Sequence, residues 1–152
     1  MTVSKVAQTA LQLPPIWSIL SKSTANDTMR KIETQMNAAI TNGKCWKSDN
    51  TEVFTNDNNA SLVYLHGNLI AIITDNSITM FDGGWQTNTT KSRLNAILSE
   101  HGIDGEYIYQ KAGKWYLNMK NAKGEDLQVP FFSGMRLNWI ILEILLFSFL
   151  EK

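Results

Sequence analysis

The chain has 152 residues and carries 14 Lys and Arg against 14 Asp and Glu, so no global field draws it to nucleic acid or to an anionic membrane. Any anion site has to be local. The length suits one domain that buries a core without staples. The single cysteine, Cys45, excludes an internal disulfide framework or a multi-cysteine zinc site and fits a reducing compartment.

Residues 1–26 read as an N-terminal arm, in which Val3, Val6, Ala7 and Leu11 are followed by the helix-stopping pair Pro14 and Pro15. The start lacks the basic residues and continuous apolar stretch of a secretory signal, so a cytosolic home is expected and the sequons at Asn26, Asn59 and Asn88 carry no weight. Met29, Ile32, Met36, Ala39 and Ile40 then recur at helical spacing, which predicts a helix over 27–42 capped by Asp27 and closed by Gly43.

The period changes after Gly43. Runs at 51–55, 61–65, 69–74 and 77–81 are short, β-branched and aromatic, and they read as strands. Their separators, Asn56–Asn59, His66-Gly67-Asn68 and Asp75-Asn76, tolerate positive φ, so tight hairpins and an antiparallel meander are expected. After Gly83-Gly84-Trp85, Leu94, Ile97 and Leu98 form one stripe between Thr89 and Gly102, which predicts a second helix. Residues 107–110 and 114–119 flank Ala112-Gly113 as a further hairpin, and the run from Leu127 adds an edge strand ended by Pro130.

The order predicts a single α+β domain over 27–136: an antiparallel meander plus a C-terminal hairpin, with two helices packed on one sheet. Residues 137–152 form an apolar segment expected to pack on the domain or to pair subunits through 137–150. Its core, Trp139–Leu150, contains Glu143 and falls short of the roughly 20 residues that cross a bilayer. An exposed patch of that length would exceed what soluble monomers tolerate.

Four constellations carry candidate chemistry. At the second helix start, Thr89, Thr90, Lys91 and Arg93 gather hydroxyls and cations on free backbone N–H groups, an arrangement suited to a phosphate or nucleic-acid anion. Trp85, Tyr107, Tyr109, Trp115 and Tyr116, with Lys111 and Lys114 beside the hairpin turn, would stack bases and hold phosphates. His66 with Asp75 or Asp82 would make a general acid–base pair. Cys45 lies among Lys44, Trp46 and Lys47, but no base is placed beside it. There is no Gly-rich phosphate loop, nucleophile elbow or His-Glu-x-x-His, and neither a cofactor nor a metal is expected.

Met36-Asn-Ala-Ala-Ile40, the Trp46–Val53 run, Val63–Asn68, the stretch from Gly83 to Leu98, Gln110–Tyr116 and Phe132–Met135 together resemble a recurring small hypothetical protein of tailed bacteriophages, marine ones included. The resemblance spans roughly residues 29–135. It implies a phage origin and expression in a bacterial host's cytoplasm, and it supplies no activity. These features favour a nonenzymatic phage accessory protein that binds a host or phage partner, nucleic acid among the candidates. The alternatives are a small hydrolase or nucleotide-processing enzyme using His66, and a structural or self-assembling protein.

Overall fold

The computed structural model describes residues 29–138. Helix α1, Lys31–Asn42, starts at Arg30 in extended conformation, whose backbone N–H donates to Glu33 Oε2 at 3.2 Å. Asp27, the expected cap, lies outside the described residues. The helix buries Glu33, Met36, Asn37, Ala39 and Ile40 on one stripe. It ends in a Schellman motif: Gly43, at φ 62°, donates to the Ile40 carbonyl, and Lys44 donates to that of Ala39.

The meander comes next as expected, with one strand more. β1 (Trp46–Ser48), β2 (Thr51–Thr55), β3 (Ser61–Leu65), β4 (Asn68–Ile73) and β5 (Ser77–Met80) pair antiparallel in sequence order. β1 escapes a sequence reading because its three residues include Lys47 and Ser48 and show no apolar alternation. Helix α2, Asn88–His101, is capped by Thr87, whose hydroxyl accepts the Thr90 N–H at 3.1 Å. It ends at Gly102, where a Cβ would stand 2.6 Å from the Leu98 carbonyl oxygen, so close approach and not a left-handed turn requires glycine there.

The single sheet expected from the sequence is in fact two. β6 (Tyr107–Lys111), β7 (Lys114–Lys120) and β8 (Asp126–Pro130) form a separate three-stranded sheet, with Pro130 at the end of its edge strand β8. β9 (Met135–Asn138) returns to the main sheet and pairs with β5, setting Leu137 opposite Ile78. The main sheet thus has six strands, and its last one runs across the boundary expected at residue 136. The remainder of the apolar segment, 139–152, lies outside the described residues. Among the described residues no helix is long and apolar enough to cross a membrane.

The small sheet hangs on α2. Asn95 Nδ2 donates to the Ile108 carbonyl at 2.9 Å and its Oδ1 accepts the Ile108 N–H at 2.6 Å, so one side chain pairs with β6 as a neighbouring strand would. Buried side chains from both sheets and both helices, among them Met36, Val63, Ile78, Ile97 and Leu117, form one contiguous core.

The two helices are locked by charge. Arg93 on α2 and Glu33 on α1, each 3% exposed, form an ion pair with Nη1 to Oε1 at 2.8 Å. Arg93 Nε donates to Thr51 Oγ1 on β2 at 3.1 Å, and Ser92 Oγ donates to Glu33 Oε1. Buried charge is tolerable only with such saturation, since removing one partner strands the other in a low dielectric. Arg93→Met should therefore cost about 3–5 kcal/mol. The combined Glu33→Met and Arg93→Met variant should lose clearly less than Arg93→Met alone, and urea denaturation midpoints of the three proteins check the ordering.

Candidate functional site

The tyrosines of the small sheet share one face. Alternation along β6 and β7 puts Ile108, Trp115 and Leu117 inside and Tyr107, Tyr109, Lys111, Lys114 and Tyr116 outside. Tyr109 and Tyr116 are directly opposite each other, with ring centroids 5.6 Å apart and planes inclined by 21°. Tyr107, 46% exposed, continues the row 5.9 Å from Tyr109. Lys111 and Lys114 pair across the turn at the end of this row, both exposed. That turn is tight because Ala112 and Gly113 both take positive φ, the signature of a type I′ hairpin.

Trp115 does not belong to this face, contrary to the grouping made from the sequence. It is 3% exposed and meets Phe131 edge-on with centroids 5.4 Å apart, so its ring is core and offers no stacking surface. Its Nε1 nevertheless has no hydrogen-bond partner among the described residues. A buried donor left so costs about 1–3 kcal/mol. Trp115 also lines a cleft of about 260 Å³ with Gln86, Lys114, Tyr116, Pro130 and Phe131.

The α2 start is only partly the cationic anion site expected. Arg93 is removed from it by the ion pair with Glu33. Thr90 is buried, and its hydroxyl lies 2.9 Å from that of the capping Thr87, so it is taken up by the helix cap. Thr89 stays half-buried at the surface. Lys91 leans the other way, with Nζ 3.5 Å from Gln110 Oε1 on β6, which brings its charge towards the small sheet and away from the helix start.

His66 and Asp82 do come together. With Trp85, Thr87, Thr89 and Thr90 they line a cleft of about 340 Å³. Asp82 is held there by its own turn, its Oδ1 accepting the Gly84 N–H at 2.9 Å while Gly83 and Gly84 adopt positive φ. Asp75 does not join them. It sits at the tip between β4 and β5, whereas His66 lies before β4, so about 20 Å of strand separates the two. No group of three or more metal-ligating side chains occurs among the described residues. Cys45 is exposed in the loop before β1.

Residues 29–138 match the family described as Kyanoviridae Gp96 protein. The chain belongs to that family. It is a group of phage proteins, found in marine cyanophages, whose function is unknown. No curated protein and no solved structure matches the chain. The family match covers the same stretch that the two sheets and two helices occupy, so the tyrosine face and both clefts lie within the matched residues.

Sequence reasoning found the hairpin but grouped its aromatics without sides. The missing signal was the period of two: Ile108 and Leu117 are apolar, so their register partners' neighbours Tyr109 and Tyr116 have to face out, while Trp115 faces in. Gln86 offered no such signal.

The tyrosine row has a titration consequence. Partial desolvation, then the like charges that Tyr107 and Tyr116 would carry as phenolates, raise the Tyr109 hydroxyl above the usual value of about 10. A proton held more tightly when folded stabilises the native state below the unfolded pKa, and this contribution disappears as pH climbs through the folded one. An absorbance titration of the protein should show a tyrosine ionising late, and Tyr109→Phe should remove that step; a first-ionising Tyr109 would contradict the geometry.

Proposed function

We propose that this protein is a nonenzymatic accessory protein that binds single-stranded nucleic acid across the tyrosine face of its small sheet, in the cytoplasm of the infected bacterium. The observation that carries this reading is the row Tyr107, Tyr109 and Tyr116 on a solvent face, ended by Lys111 and Lys114. A face open to water ordinarily carries polar side chains. Three adjacent rings there offer surfaces on which successive bases stack, and two cations at the end of the row suit the backbone. Lys91 meets Gln110, the register partner of Trp115, on the opposite side of β6, so the cations of the row itself are Lys111 and Lys114.

The reading predicts a particular pattern in fluorescence anisotropy with labelled single strands. Tyr109→Ala should weaken binding by about 1–3 kcal/mol, the worth of one base stacked on one ring. With two lysines engaged, the plot of log affinity against log salt should fall with a slope of about −1.4, at roughly −0.7 per neutralised phosphate. Removing Lys111 and Lys114 together should bring that slope close to zero. Equal affinity for duplex and single strand, or a Tyr109→Ala protein that binds unchanged, would refute the reading.

One observation favours a second reading, that of a hydrolase or nucleotide-processing enzyme. His66 and Asp82 share a cleft with Thr89 at the start of α2. On this reading His66 acts as the acid or base, and nucleoside triphosphate turnover is the activity to assay. His66→Ala should abolish turnover, and a variant with full turnover rejects the mechanism.

A further inference from the structure

We propose that the outer face of the six-stranded sheet is a docking surface and that its occupant is the apolar run 139–150 of the same chain. Strand register puts Phe54, Leu62, Ile72, Thr79 and Arg136 directly opposite one another in a cross-strand row on that face, and pairs Tyr64 with Leu69 in the row beside it. Phe54 is 48% exposed, and Leu62, Tyr64, Leu69 and Ile72 are half-buried. An antiparallel sheet with one wet face ordinarily alternates apolar and polar side chains, whereas β3 and β4 carry large apolar residues on both faces, as strands covered from both sides do. The helices serve the inner face, where Met36 and Ile97 join Val53, Val63, Ile78 and Met80 in the core. The five apolar residues of the outer face take no part in that core. A contiguous apolar surface of this kind marks a place where something docks.

Position and size select the occupant. The run leaves the sheet at Asn138, the last residue of β9, and β9 is an edge strand, so the run begins at one side of this face. From β9 to β2, where Phe54 ends the row, there are four strand spacings, about 19 Å in all. A helix of the run's twelve residues would span about 18 Å. The two rows lie about 7 Å apart along the strands, which makes the apolar strip one helix wide, about 10 Å. A second copy of the sheet fits poorly, because a strip on the order of 200 Å² is well below the roughly 800 Å² that each partner gives to a stable interface. Tethering favours the same choice, since a segment attached at the sheet edge acts at an effective concentration of about millimolar. Charge agrees: Arg136, exposed in the row, offers an opposite partner to Glu143, the run's one charge, on the side where the run begins.

The test uses the full chain with Cys45→Ser, which leaves Leu146→Cys as the only thiol for a nitroxide label. Methyl resonances are compared before and after ascorbate reduces the label. Leu62 and Ile72 should lose their signals and regain them on reduction, while Ile108 on the small sheet, across the core, should be touched least. Moving the label to Phe149→Cys should shift the greatest loss from Ile72 towards Leu62, because the run then carries it further from β9. Either label position suffices, so one variant that fails to fold leaves the other to decide. A mixture of methyl-labelled chain without nitroxide and nitroxide-bearing chain without methyl label separates the two sources of cover: every signal should survive there. Loss in that mixture would assign the face to a second copy and overturn the proposal. Leu62 and Ile72 signals that survive in the doubly labelled chain would overturn it as well, since the run would then lie elsewhere.

Discussion

The arrangement of this molecule depends on one buried ion pair. Glu33 and Arg93 join helices that lie far apart in sequence, and Arg93 reaches on to Thr51 in β2. Each charge would be expensive to bury alone, by several kcal/mol even after relaxation. The carboxylate is consequently saturated by Ser92 and by the Arg30 backbone as well as by the guanidinium. Such a network tolerates one geometry. Asn37 adds a second tie, its amide donating to the Ala96 carbonyl at 3.0 Å. The α2 helix is thus fixed in rotation as well as position, and that setting determines what its other sides can carry.

The second sheet is the first consequence. With its Arg93 side turned towards α1 and β2, α2 presents Asn95 to β6 and Lys91 to Gln110. A three-stranded sheet of this size needs packing on one face to be stable, and here Ile108, Trp115 and Leu117 supply it. Its other face carries three tyrosines, of which Tyr109 and Tyr116 are half-buried, two exposed lysines, and Asn118, buried opposite Tyr107. The same charge pair that removes Arg93 from any surface role therefore supports the face that the proposed function uses. Local electrostatics and the candidate site are coupled through the backbone of α2.

Most of the elements were legible in the sequence because their signals are local. Hairpin tips such as His66-Gly67 and Ala112-Gly113 require positive φ and adopt it, and the α1 stripe and Gly43 read directly as a helix and its end. The split into two sheets was not legible, because nothing in the β-branched runs says which edge pairs with which; β9 reaches β5 from more than fifty residues downstream. Nor was the fate of Arg93. A basic residue near a helix start reads as exposed by default. Its burial depends on Glu33 facing it across two helices, a long-range pairing without local trace. Trp115 misled for a different reason: the aromatic content of the hairpin was read as composition, while the alternation that separates its faces was present in the same residues.

Charge balance shapes how the proposed function would look in solution. With equal numbers of acidic and basic residues, the chain lacks the broad positive field that lets many nucleic-acid proteins bind any polyanion. Near the tyrosine face, moreover, Lys120 is already paired with Asp126 at 2.8 Å. Few cations are therefore free to meet phosphates, and affinity on this reading has to come chiefly from stacked rings. Stacking requires bases that are already unpaired, since a duplex hides its base faces from a flat sheet. Selectivity for single strands would then need no dedicated recognition element: it would arise from a neutral chain that sets its aromatic rings outward on a sheet held in place by one helix.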